Sequence, residues 1–156
     1  MENARDTTNP FVNFLKHDRR MRTDHPTWED IERAIKALNG STSTLLMLCE
    51  NDTRLAKHLC ICGGHQGKYA VYIAGANGEL HNLINTHGTD ENIVVNCDGQ
   101  GTDYHDWQLV NMDWVLLVSR RFYFDGTAET AFDWVGNSEL SRLLIEGIGA
   151  FLPGEF

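Results

Sequence analysis

The sequence predicts an α+β fold, an antiparallel meander of about five or six strands packed against helices. Three observations carry that expectation. An amphipathic stretch runs from Thr27 to Gly40. Short apolar segments separated by turn residues follow from Thr42 to Cys97, and helical periodicity returns after Asp113. With 156 residues, 42% apolar and 10% aromatic, the chain is long enough for a single domain with a substantial core. The expected organisation is one domain over 1–156, with a core at 26–135 and helical extensions at 1–25 and 137–156.

The first extension is expected to hold a helix over Asn9–Arg22. Asn9 can cap it, Pro10 suits a first helical position, and Phe11, Phe14 and Leu15 make a short apolar stripe. Pro26 then excludes His25 from helical geometry. Thr27 and Asp30 imitate a capping box, and Trp28, Ile31, Ala34, Ile35 and Leu38 fall on one helical face. Asn39-Gly40 should end that helix.

Strands are expected at Thr42–Glu50, Leu55–Cys62, Lys68–Ala74, Glu79–Asn85 and Asn92–Cys97, with Ala76-Asn77-Gly78 as a hairpin turn. Short connections make consecutive strands antiparallel neighbours. Asp98–Val110 is rich in Gly, Asp and aromatics without a clear period, and reads as a long loop with room for a short strand. Asp113–Asp125 reads as a buried helix capped by Gly126, and Ala131–Val135 as a last short strand. Leu140, Leu143, Leu144, Ile148, Phe151 and Leu152 outline a final amphipathic helix that Asn137-Ser138 could cap and that Gly147 and Gly149 weaken.

Charge is distributed unevenly. Residues 1–68 hold ten basic and nine acidic side chains, whereas 69–156 hold three and thirteen. No lysine or arginine occurs between Tyr69 and Ser119, where Glu79, Asp90, Glu91, Asp98, Asp103, Asp106 and Asp113 stand. Such a field repels nucleic acid and anionic membranes and attracts a basic partner; otherwise it is a solvated surface that aids solubility. The N-terminus is polar and the longest apolar runs are five residues, too short for a signal sequence or a membrane span, so a cytoplasmic location is expected. The four cysteines, Cys49, Cys60, Cys62 and Cys97, are too few for a disulfide scaffold and read as buried thiols in a reducing compartment.

Catalytic patterns mostly dissolve on inspection. Cys60-x-Cys62-x-x-His65 brings three soft metal ligands together, but no second pair elsewhere completes a zinc site, and a strand puts Cys60 and Cys62 on one core-facing row. Gly63-Gly64-His65-Gln66-Gly67-Lys68 lacks the first glycine of a phosphate loop and its final Ser or Thr, and it precedes a strand. No histidine has Glu two residues later and no proline precedes a cysteine, which removes the zinc-deaminase signature. Cys97 with His105 and Asp103 or Asp106 could be cast as a thiol nucleophile with its base, against an acidic surround that disfavours a thiolate. No catalytic residue, metal or cofactor is expected.

Several pieces, taken in order, resemble one family. They are Trp28-Glu29 with Ile31, Ile35 and Leu38-Asn39-Gly40, then Gly63-Gly64 with Gly67 and Tyr69, then Gly99-Gln100, then the helix ending at Phe122, Gly126 and Trp134. Over about Pro26 to Val135 the chain resembles the immunity proteins of bacterial polymorphic toxin systems, of the first numbered class, often paired with deaminase toxins. The resemblance implies an α+β antitoxin that neutralises a cognate toxin inside the cell that makes it. Toxins that act on nucleic acids tend to carry basic clefts, which an acidic inhibitor would be steered into. The expected toxin-binding residues are Asp90, Glu91, Asp98, Asp103 and Asp106, which supply the field, and Tyr104 and Trp107, which would anchor it. The free chain is expected to be a monomer. Two other readings stand beside this one: a cysteine- or metal-dependent enzyme, and an interaction adaptor unrelated to toxins.

Overall fold

A computed structural model describes residues 9–18 and 21–152. In chain order the elements are β1 (Phe14–His17), β2 (Met21–Asp24), α1 (Trp28–Ala37), β3 (Leu45–Cys49), β4 (His58–Gly63), β5 (Tyr69–Ala74) and β6 (Leu80–Ile84). There follow β7 (Asn92–Cys97), β8 (Gln100–His105), α2 (Met112–Asp125), β9 (Asp133–Val135) and α3 (Asn137–Glu146). Seven strands form one antiparallel sheet in the order β2-β1-β3-β4-β5-β6-β9, and β7 pairs with β8 as a separate ribbon. The fold is α+β, with the meander continuous from β3 to β6.

The central strands are covered on both sides. From β3, β4 and β5, Leu46, Leu48, Leu59, Ile61, Val71 and Ile73 face α1 and α2, where they meet Ile31, Ile35, Val115, Val118 and Phe122. The alternate residues Met47, Cys60, Cys62, Ala70 and Tyr72 face the other way, onto Ile93, Val95, Cys97 and Tyr104 of the ribbon. Covering on both faces explains why β4 reads as an uninterrupted apolar run, LCIC, where a half-exposed strand would alternate. The molecule is therefore layered as helices, sheet and ribbon. A third cluster at the β6–β9 edge joins Ile84, Trp107, Val135 and Leu143.

Thr27 caps α1 as its sequence predicts. Asp30 N donates to Thr27 Oγ1 at 3.1 Å, and Thr27 N donates to Asp30 Oδ2 at 2.9 Å. Tyr123 OH donates to the Pro26 carbonyl at 2.8 Å and ties α2 to that helix start. Gly126 closes α2 in the left-handed conformation.

Four expectations are corrected. Asn9–Arg22 is not a helix: the described residues of the extension, 9–18 and 21–25, hold the β1–β2 hairpin and no helix, while 1–8, Arg19 and Arg20 lie outside the described residues. Tertiary partners override the local signals there. Phe11 N and Val12 N donate to Phe124 O and Tyr123 O, Asn13 N donates to Cys49 O, and Phe11 packs edge-on against Phe122 at 5.5 Å. At the end of α1, Leu38 already turns extended, and Asn39 works through its side chain. Its Oδ1 accepts from Ser41 N, Thr42 N and Ser43 N. Asp98–Val110 is not a long loop with at most a short strand: it holds the six-residue strand β8 and a short helical turn at Asp106–Gln108. The last helix stops at Glu146 and is preceded by Gly136. Asn137 does not cap it: its Oδ1 accepts from Asn82 Nδ2 at 3.1 Å.

Gly63 sets the spacing between sheet and ribbon. Its φ is +109°, and an added Cβ would lie 2.7 Å from the Lys68 carbonyl and 2.8 Å from Val95 Cγ1. A side chain there is strained by its own backbone and collides with a main-chain atom. Gly63→Ala is expected to lower unfolding free energy by at least about 2 kcal/mol in urea titration. A loss well under 1 kcal/mol would mean that the ribbon does not rest on this contact.

Candidate partner-binding face

The β7–β8 ribbon turns at Asp98-Gly99, with φ of +55° and +84°. Two left-handed residues in a two-residue connection are what a tight hairpin needs, and Asp-Gly supplies them. The register runs from Cys97 opposite Gln100 to Asn92 opposite His105. Successive side chains therefore alternate between an inner face on the sheet and an outer face in solvent. Val95 is buried and Ile93 and Tyr104 partly so on the inner face, whereas Val94 is 62% exposed on the outer one beside Asp103.

Both ends of the ribbon are tied down. Cys97 is joined to Cys62 of β4 as a disulfide with Cα atoms 5.2 Å apart, which corrects the expectation of four thiols; Cys49 and Cys60 are free and buried. Asp98 N donates to Thr44 Oγ1 at 2.9 Å. At the other end Lys68 Nζ donates to Asp106 Oδ1 at 2.7 Å, and Thr89 N donates to Asp106 Oδ2 at 2.9 Å. Asp106 N donates to the Glu91 carbonyl, and the Asp90 carbonyl accepts from His105 Nδ1 at 2.9 Å. Beside the Lys68–Asp106 pair opens a cavity of about 380 Å³, bordered by Asn85, His87, Asn111 and Trp114.

The expected site residues divide into two groups. Asp90, Glu91 and Asp103 are exposed, and Asp98 stands half-buried at the ribbon turn. Asp103 makes no ion pair with a described residue, and no lysine or arginine lies on the ribbon. These four carboxylates follow one element from base to tip, an acidic stripe, while Glu79, Asp113 and the acids from Asp125 onward lie elsewhere in the fold. Asp90 also accepts from Ile148 N at 3.2 Å through Oδ1, which fixes the segment after α3 to the base of the ribbon.

The other three have structural duties. Trp107 is fully buried among Ile84, Val135 and Leu143, with its backbone held by Thr89 O and Asn85 N, so it cannot serve as an exposed anchor. Tyr104 packs beneath the ribbon against the sheet, and burial raises its phenol pKa. Asp106 is engaged by Lys68 and Thr89. Large aromatic side chains in a loop-like segment suggested contacts, but the segment is a strand and turn laid over a core. The sequence signal that would have found the ribbon was Asp98-Gly99 between two runs able to pair. The outward row of Asn92, Val94 and Gly101 was visible only once that pairing was known.

Cys97 and His105 do not meet. They sit at opposite ends of the ribbon, five residue pairs apart, or roughly 16 Å along a strand. Cys60 and Cys62 share the ribbon-facing row with sulfurs 4.0 Å apart, and burial pushes the Cys60 thiol up to about 11, which leaves it protonated at neutral pH. Among the described residues no three His, Cys, Asp or Glu side chains converge as a metal ion requires, and His65 sits on an exposed turn. No helix of the described residues is long and apolar enough to cross a membrane. No family model, curated protein or solved structure matches the chain.

The Lys68 ammonium, together with Thr89, holds the Asp106 carboxyl below its ordinary pKa of 3.8. Its contribution to stability is therefore fully present above the ordinary carboxylate range and is lost as pH falls through the lowered value. Asp106→Asn is expected to cost about 1 kcal/mol at pH 7, discounted because Lys68 is partly solvent-screened. The gap from the unmodified protein should close as pH falls below the ordinary carboxylate range in urea titrations. A gap independent of pH would assign Asp106 a purely steric role.

Proposed function

We propose that this chain is an immunity protein, which binds and neutralises a cognate bacterial toxin by setting its acidic ribbon in the toxin's basic cleft. The observation that carries the reading is the stripe of Asp90, Glu91, Asp98 and Asp103 along one braced hairpin without a lysine or arginine. A rigid acidic projection meets a cationic groove at little conformational cost, because the hairpin is ordered before the encounter. Long-range attraction raises the encounter rate and orients the approach. The resemblance to the first numbered immunity class supplies the partner type, a toxin that acts on nucleic acid. Substrate backbones of such toxins are polyanions, so a carboxylate stripe competes for the same cations.

Aromatic anchors are not needed for this arrangement. Val94 supplies an exposed apolar centre between the acids, and Asn92 and His105 flank it with hydrogen-bonding groups. The enzyme reading loses its thiol nucleophile, because Cys97 is bonded to Cys62 and its proposed base lies at the far end of the ribbon.

The test is co-expression with the toxin encoded beside it. The unmodified chain should protect cells, and Glu91→Lys with Asp103→Lys should abolish protection while leaving the fold intact by circular dichroism. Glu79→Lys, on the β5–β6 turn at the opposite strand end from Gly63, is the control and should retain protection. The association rate should fall at least about tenfold between low salt and 0.5 M salt. Full protection by the double variant, or an association rate indifferent to salt, would overturn the reading.

A further inference from the structure

In an antiparallel ribbon, residues alternate between pairs that exchange hydrogen bonds and pairs whose N–H and C=O groups point outward. The two-residue turn makes Cys97 and Gln100 a bonded pair, so the alternation is fixed along the whole ribbon. Val95–Thr102 and Ile93–Tyr104 are bonded pairs. Asn96–Gly101, Val94–Asp103 and Asn92–His105 are not, and their backbone groups face away. The donation of Asp106 N to Glu91 O, one step further on, fits the same alternation.

On β8 the outward amide of His105 is taken by Gln108 Oε1 at 2.8 Å. Those of Gly101 and Asp103 meet no described residue, and Gln100 to Asp103 are all exposed. On β7 the outward amides of Val94 and Asn92 likewise meet no described residue, but Asn96 Oδ1 is buried, the adjoining turn is bonded to Thr44, and no acid stands on the strand itself. The β8 edge is thus open beside Asp103. The exposed edge of the main sheet, β2, has mixed charge, with Arg22 paired to Asp24 and Asp52.

We propose that the β8 edge takes an extended basic segment of the partner protein as an added strand. Main-chain bonds to Gly101 and Asp103 supply the pairing, and Asp103, in the field of the neighbouring carboxylates, selects lysine or arginine across from it. Gly101 has no side chain, which leaves room for a bulky residue opposite. The same carboxylates keep two copies of this chain from pairing edge to edge, because like charges would face each other. This inference rests on the partner being basic, as proposed above.

The probe is a blocked eight-residue peptide of alternating Lys and Thr at low salt, titrated into isotopically labelled protein and followed at backbone amides. Saturable shifts should centre on Gly101 and Asp103, with amide exchange there slowed at least about tenfold. The same peptide methylated at alternate backbone nitrogens keeps its charge but loses strand hydrogen bonds, and should lose the effect. Gly101→Pro removes one outward donor and leaves the β7 bonds in place; it should weaken the parent peptide about fivefold. Equal binding by the methylated peptide, shifts elsewhere, or no binding would overturn strand addition. Protection from toxin that survives Gly101→Pro but not Asp103→Lys would sink the strand and spare the immunity reading. Peptide docking as described without any protection from toxin would do the reverse.

Discussion

The close approach of β7 to β4 is the contact on which the rest of the arrangement depends. Gly63 lets Val95 and the Lys68 backbone come nearer than any side chain would permit. That approach seals the second face of the sheet, buries Cys60, Cys62 and Ala70, and makes the ribbon a fixed layer. A two-stranded hairpin on its own is marginal in water. Here it gains a hydrophobic floor, a covalent tie at Cys97 and an ion pair at Asp106. Its outer face is then free to carry charge without risk to the core.

This division of labour explains the composition of the back half of the chain. The inner face of the ribbon uses Ile93, Val95 and Tyr104, while the outer row uses Asn92, Val94, Asn96, Gly101 and Asp103. Alternation within a few residues separates stability from the surface offered to a partner. Lys68 is the basic side chain at the base of the ribbon, and it is paired with Asp106. Glu91 and Asp103 are exposed and make no ion pair with a described residue, so their charge faces outward.

The parts of the fold legible in the sequence were those whose local signals agree with their packing. Thr27 and Asp30 fix the start of α1, Ala76-Asn77-Gly78 fixes the β5–β6 turn, and the 42–97 run of short apolar segments fixes the meander. Where neighbours decide, the sequence misled. Phe11, Phe14 and Leu15 suit a helix by spacing, yet their backbone finds partners in α2 and β3. The β8 strand carries Gly101 and Asp103, residues depleted in strands, between Gln100, Thr102 and Tyr104, and it is pairing with β7 that makes it one. The charge excess was readable, but the placement of Asp90, Glu91, Asp98 and Asp103 along one hairpin was not, since that follows from strand pairing. Trp107 shows the converse: a residue whose size suggested an interface is a core plug held by Thr89 and Asn85.

The account turns on where a basic protein lands. Hydrogen exchange of the complex with the proposed toxin, compared with the free chain, reads this directly across all amides. Protection concentrated on residues 91–105, with α1 and α2 unchanged, is the predicted outcome. Protection over the α1–α2 face with the ribbon unaltered would contradict it and remove the acidic hairpin from function.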